Sequence, residues 1–202
     1  MRVRTLMMVG LVAAGSASAV TAQRTVDPVS TTAVSGYTSS DVTWLSVGGA
    51  GNVAIKGLTW REDADKPCHM AISERGLAEA TPWDAPSMDI CGIVSSYLIA
   101  TATERVLSFD ANPRYFLRGI AVCNNDKSNH RLKGIRIYAA KVWSTQQQVD
   151  ELTMSQQTSL TNCDRWDSAV YCPADNVASA VVVHHNNKEI TGLALRCRPI
   201  DY

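Results

Sequence analysis

The chain has 202 residues, 46% of them hydrophobic and 19% charged, with 19 basic residues balanced by 19 acidic ones. Its lysines and arginines are scattered among acids and apolar positions, as in RLKGIR and LRCR, which excludes the concentrated basic face that a binder of the phosphate backbone needs. Beyond the N-terminus no stretch reaches the roughly 20 apolar residues of a membrane-spanning helix.

The chain opens with MRVRTLMMVGLVAAGSASAVTAQ: two arginines, an apolar run from Leu6 to Ala14, then small residues. This is the layout of a secretory signal peptide over residues 1–22, with cleavage expected after Ala19 or Ala22. Removing it leaves 17 basic against 19 acidic residues. The protein is therefore expected to be secreted, to the extracellular space or the periplasm. Residues 23–40 are rich in Ser and Thr and are read as a flexible lead-in or one strand that pairs late. Residues 41–202 suffice for a single domain with one core.

Three segments within that domain share a pattern: LSVGGAGNVAIKGLTW from Leu45, IAVCNNDKSNHRLKGIRI from Ile120 and VVVHHNNKEITGLAL from Val181. Each opens with an apolar-x-Val triplet, passes through a stretch rich in Gly or Asn, and closes with apolar-x-Gly-apolar-x-apolar. Alternating apolar residues around turn chemistry predict β-hairpins. The closing glycines, Gly57, Gly134 and Gly192, are expected to mark a bulge or a close backbone approach. They lie 77 and 58 residues apart, which suits three four-stranded units around a shared core.

Between the first two segments, Asp63, Asp65, Glu74 and Glu79 are the acids that a glycosidase reading would draw on. In the same region TPWDAP is rich in turn residues and is expected to expose Trp83 beside Asp84. Further on, the Gln-rich residues 144–162 suit a short helix or a polar connection. Cys68, Cys91, Cys123, Cys163, Cys172 and Cys197 are even in number, as expected of disulfides in an oxidising compartment. Loop lengths favour Cys68 with Cys91 and Cys163 with Cys172, leaving Cys123 for Cys197. There is no CxxC or HxxxH spacing, no GxSxG elbow, no P-loop and no dinucleotide fingerprint, so neither a metal nor a cofactor is expected. There is no Asn-x-Ser/Thr sequon either.

The stretch YCPADNVASAVVVHHNNKEITGLALRC (residues 171–197) combines a Cys-Pro turn, a small-residue strand, a polar turn and a Gly-Leu-Ala-Leu strand ending near a cysteine. With RYFLRGIAVCNNDKSNHRLKGIRIYAAKVW (residues 114–143), it resembles the β-prism proteins, and among them the vitelline membrane outer layer protein I type. The resemblance implies an all-β prism of three Greek-key, four-stranded sheets with pseudo-threefold repeats, an extracellular coat or barrier role, and kinship in shape to jacalin-type lectins.

Candidate chemistry lies at the hairpin tips: Asn124, Asn125 and Asp126 after Cys123, and His185, Asn186 and Asn187 after His184. Amides, carboxylates and imidazoles all hydrogen-bond sugar hydroxyls, and a sugar site adds an aromatic platform. Trp44, Trp60, Trp83, Trp143 and Trp166 are the candidates; Trp44 and Trp60 fall in strand patterns that favour the core, and Trp83, in the turn-rich TPWDAP, is the one expected to be exposed. Turn chemistry alone also explains Asn and Asp at such tips. The expected function is binding of a glycan or an extracellular coat component. The alternatives are a glycan-acting hydrolase and a structural or protein-interaction module without a small ligand.

Overall fold

In the computed structural model the described residues are 29–48, 52–63, 65–76, 83–90, 103–127, 130–143, 148–186 and 188–199. Three long hairpins carry the fold, each an antiparallel pair: β4 (Val53–Asp63) with β5 (Lys66–Gly76), β8 (Tyr115–Asn125) with β9 (Arg131–Trp143), and β13 (Asn176–His185) with β14 (Ile190–Pro199). Each hairpin is flanked on both edges. In sheet I, β6 (Trp83–Asp89) lies outside β5, and β7 (Thr103–Ser108) lies outside β4. In sheet II, β10 (Gln148–Ser159) lies outside β9, and the short β11 (Arg165–Trp166) and β12 (Val170–Tyr171) share the edge of β8. Sheet III is completed by the start of the chain: β1 (Ser30–Thr31) and β2 (Ser35–Gly36) lie outside β14, and β3 (Asp41–Ser46) lies outside β13.

Each sheet thus has four strand positions, one of them split in sheets II and III, joined as a Greek key. The register shows the repetition in detail. An extra residue bulges from the first strand of each hairpin at Lys56, Arg118 and Ser179, and from the second strand at Cys68, Lys133 and Thr191. Between these bulges the inward side chains superimpose: Leu58, Ile120 and Val181 in one row, and Trp60, Val122 and Val183 in the next, all buried in one core with Met70, Ile135 and Leu193. Side chains of this size contribute about 1.5–3 kcal/mol each on burial, so the shared core holds the three sheets together.

The bulge side chains join neighbouring units. Lys56 Nζ donates to the carbonyls of Asn112 (2.6 Å) and Tyr115 (2.5 Å), and Lys133 Nζ donates to Glu62 Oε1 at 3.0 Å and Asp65 Oδ1 at 2.6 Å. Burial, followed by the charge of Arg75, pulls the Lys56 pKa down from 10.5 to about 8. The expected close approach at the glycines is present: a Cβ on Gly57 would lie 2.4 Å from Leu107 O, and one on Gly192 would lie 2.5 Å from Tyr37 O.

Several sequence expectations are corrected. The first repeat is offset by one strand: the segment from Leu45 to Trp60 is not a hairpin, because β3 belongs to sheet III and β4 to sheet I, and the first hairpin is β4–β5. An apolar-x-Val triplet marks any half-buried strand, so the pattern did not distinguish a partner in the same sheet from one across the prism. Within residues 23–40, read as a flexible lead-in or one late-pairing strand, Ser30–Thr31 and Ser35–Gly36 form the short strands β1 and β2. The Gln-rich stretch holds a twelve-residue strand, β10, whose register shifts twice near its start. Among the described residues the disulfides with both partners in place are Cys123–Cys163 and Cys172–Cys197, with Cα separations of 5.6 and 5.4 Å. Loop length misled because sheet register decides which cysteines meet: β11 lays Cys163 beside β8, and Cys172 N donates to Arg118 O at 2.8 Å. The expected Cys68–Cys91 pair involves Cys91, which lies outside the described residues.

Candidate functional site

The three hairpin tips meet at one end of the prism, where charge ties them together. Arg131, at the start of β9, places Nε 2.5 Å from Glu189 of the β13–β14 turn and Nη1 3.6 Å from Asp65 of the β4–β5 turn. Asp65 has a left-handed backbone (φ 67°) and also accepts from Asn162 Nδ2 at 3.1 Å. The hydrogen bond from Lys133 holds its carboxyl below the usual aspartate range, whereas burial raises that of Glu62 on the same ammonium. Asp65 and Glu62 thus neutralise a buried lysine. Glu74, the other acid of the glycosidase reading with a described side-chain bond, is buried and accepts from Gly48 N at 2.8 Å. Glu79 lies outside the described residues.

Most of the tip residues singled out in the sequence build the tips. Asn124 is fully buried and donates from Nδ2 to Asp167 Oδ2 at 2.8 Å, and Asn125 is buried with Oδ1 accepting from Lys127 N at 2.8 Å. Asn186 is exposed, yet its Oδ1 accepts from the backbone of Lys188 and Glu189, closing an Asx-type turn. His185 is buried with Nε2 3.0 Å from Thr43 Oγ1, and burial lowers its pKa. Asn187 lies outside the described residues. Trp83 and Asp84 belong to strand β6, paired with Glu74 and Ser73, rather than to the expected turn. Trp60 is in the core as expected, but Trp44 is 47% exposed on β3.

Asp126 is different. It is exposed at the β8–β9 tip and faces residues that arrive from two other parts of the chain. Tyr37, just after β2, stacks its ring on His130 at 3.6 Å with an interplanar angle of 22°. The Tyr37 hydroxyl donates to Asp126 Oδ1 at 3.3 Å and accepts from Arg165 Nη2 at 3.0 Å. Arg165, on β11, also contacts Asp126 Oδ2 at 3.2 Å and Asp167 Oδ1 at 3.3 Å. The left-handed backbone of His130 (φ 60°) turns its ring toward Tyr37 at the base of the turn. Asp126, His130 and Arg165 are exposed and Tyr37 is partly buried, so an aromatic stack, a guanidinium and a carboxylate share one surface. Tyr37 and Arg165 gave no sequence signal, because they lie on a connecting segment and on a two-residue strand outside every repeat, and His130 lies within the second repeat but past the Asn-Asn-Asp run that drew attention to its tip.

Known structures give the wider context. The chain is similar to the Calsepa lectin in complex with a biantennary N-glycan, with 9% identity over 86% of this chain and 99% of that one and a TM-score of 0.55. It is similar to the same lectin in complex with a bisected glycan at a TM-score of 0.51, again with 9% identity over 86% of this chain and 99% of that one. A mannose-specific jacalin-related lectin from Morus nigra matches at 8% identity over 85% of this chain and 96% of that one, with a TM-score of 0.46. No family model and no curated protein matches the chain in sequence. The three Greek-key sheets around one core are a β-prism, the fold of the jacalin-related lectins.

Proposed function

We propose that this chain is a secreted carbohydrate-binding protein that engages a glycan at the β8–β9 tip. The observation that carries the reading is the exposed cluster of Tyr37 stacked on His130 with Asp126 and Arg165 around it. The aromatic pair offers an apolar face to a sugar ring, while the carboxylate and guanidinium offer an acceptor and donors to its hydroxyls. Because these ion pairs are solvent-exposed, each is worth at most about 1 kcal/mol, and sugar hydroxyls can replace them at small cost. The fold supports the reading as well, since the similar solved structures include a lectin holding N-glycans. The finer kinship to the vitelline membrane outer layer protein I type, with a coat role, rests on residues 114–143 and 171–197, the two hairpin segments of sheets II and III. The signal-peptide layout of residues 1–22 and the disulfides Cys123–Cys163 and Cys172–Cys197 support export.

A glycan array with the oxidised protein tests this. Tyr37→Ala and Asp126→Ala are each expected to weaken any specific glycan by about tenfold or more, the order expected from losing a ring contact or a charge-assisted hydrogen bond. Specific binding that both variants retain would move the site elsewhere, and an array without hits would overturn the reading.

A further inference from the structure

We infer that the outer face of sheet II is a second sugar-binding surface, selective for acidic polysaccharides, with Arg136 as the anion anchor between aromatic rings. The inference extends the carbohydrate-binding reading to a different surface. On this face β8 presents only small residues, Gly119, Ala121 and Cys123, and the flanking strands lay aromatic rings across that floor. Tyr171 of β12 pairs with Gly119 so closely that a Cβ there would lie 2.2 Å from its Cδ1. Tyr171 remains 42% exposed and meets Tyr138 of β9 edge to face at 5.2 Å. Trp166 of β11 carries the Arg136 guanidinium over its ring at 4.5 Å.

Arg136 is held in place: Nε donates to Gln157 Oε1 at 2.6 Å and Nη1 to Tyr138 Oη at 3.4 Å. Among the described residues no carboxylate pairs with it and Nη2 has no partner, so an immobilised cation faces solvent between aromatic rings. Aromatic faces suit sugar rings, and a pre-organised guanidinium suits a carboxylate or sulfate. An un-neutralised guanidinium favours an acidic chain over a neutral one, and the row from Tyr171 to Trp166 suits a polymer rather than a single residue.

The test measures binding of the oxidised full-length mature protein to polygalacturonate, its methyl ester and dextran sulfate. We expect at least tenfold tighter binding to one of the acidic polymers than to the neutral ester, lost on raising salt. Arg136→Gln and Trp166→Leu should each remove at least tenfold of that affinity with thermal unfolding preserved, while Tyr37→Ala leaves it unchanged. Preference for polygalacturonate assigns the anion as a uronate, and preference for dextran sulfate assigns it as a sulfate. Equal binding of ester and acid, no binding of either acidic polymer, or full affinity in Arg136→Gln would overturn the inference. Array glycans lost only in Tyr37→Ala would then leave the tip site standing, whereas acidic-polymer binding lost only in the sheet II variants, with an empty array, would sink the tip site alone.

Discussion

Sheets I and II are built on one backbone plan and present opposite surfaces. In both, a glycine follows the first-strand bulge, Gly57 or Gly119, and the inward rows that start with Leu58 and Ile120 interlock in the same core. Outward, the residue paired with the glycine from the flanking strand is Ser108 in sheet I and Tyr171 in sheet II. Two rows on, Arg61 pairs with Glu104 in sheet I, where sheet II sets Trp166 beside Cys123. Sheet I therefore shows solvent a neutralised ion pair and the 60% exposed Val106, and sheet II shows an aromatic row with a cation. The repeat preserves what closes the prism, and the edge strands decide what each face can bind.

If that division holds, the largest effects should follow changes to the closing backbone. In Gly57→Ala the new Cβ would meet Leu107 O at 2.4 Å and Ser108 Cα at 2.9 Å, both main-chain atoms that can move only by parting β4 from β7. We expect a loss of about 3 kcal/mol or more, read as a lower urea midpoint. A second contrast lies at the bulges, where sheet I has Lys56 and sheet II has Arg118. The buried Lys56 gives up its proton near pH 8, whereas the unfolded chain keeps it to about 10.5. Below pH 8 both states are protonated and this group adds no pH dependence. Above it the unfolded state binds more protons, so stability rises with pH, by about 2 kcal/mol at pH 9.5. Urea midpoints at pH 7.5 and 9.5 should show that rise in the native chain and not in Lys56→Met; equal slopes would show that the ammonium stays protonated in the fold.

Gly119→Ala makes an even closer contact, 2.2 Å, but the atom it meets belongs to the ring of Tyr171, which can swing away. The expected cost is only about 1–2 kcal/mol. Losing the flat tyrosine should nonetheless weaken acidic-polymer binding. A Gly119→Ala as destabilised as Gly57→Ala would mean that Tyr171 is locked by the fold rather than laid over it.

The same division explains what the sequence reveals. The all-β class and the hairpins of sheets II and III are legible because alternating residues such as Ile120, Val122, Ile135 and Ile137 share one local rule. The first hairpin escapes it: His69 stands where Gly134 and Gly192 stand in the other two, so β5 lacks the closing motif while β4 carries one of its own. The tip asparagines are correctly placed at turns, but turn geometry and ligand contact draw on the same residue types, and burial alone separates Asn124 from Asp126. Tyr37, Arg165 and Tyr171 become site candidates only when the sheets bring distant parts of the chain together, as Tyr37 and Arg165, 128 positions apart, are brought together at the tip.

The smallest stability effect makes the most selective test of the two faces. Arg61 Nη2 lies 2.6 Å from Glu104 Oε2, with side chains 26% and 44% exposed, and a pair of that exposure contributes about 0.5 kcal/mol or less. Arg61→Gln and Arg136→Gln should therefore unfold within about 0.5 kcal/mol of the native chain, since both remove one surface guanidinium. Their binding should differ, because Glu104 already neutralises Arg61, whereas Trp166 and Gln157 hold Arg136 without neutralising it. Affinity for the acidic polymer should fall only in Arg136→Gln. An equal fall in both would mean that the polymer senses the summed surface charge and that the aromatic setting of sheet II adds nothing.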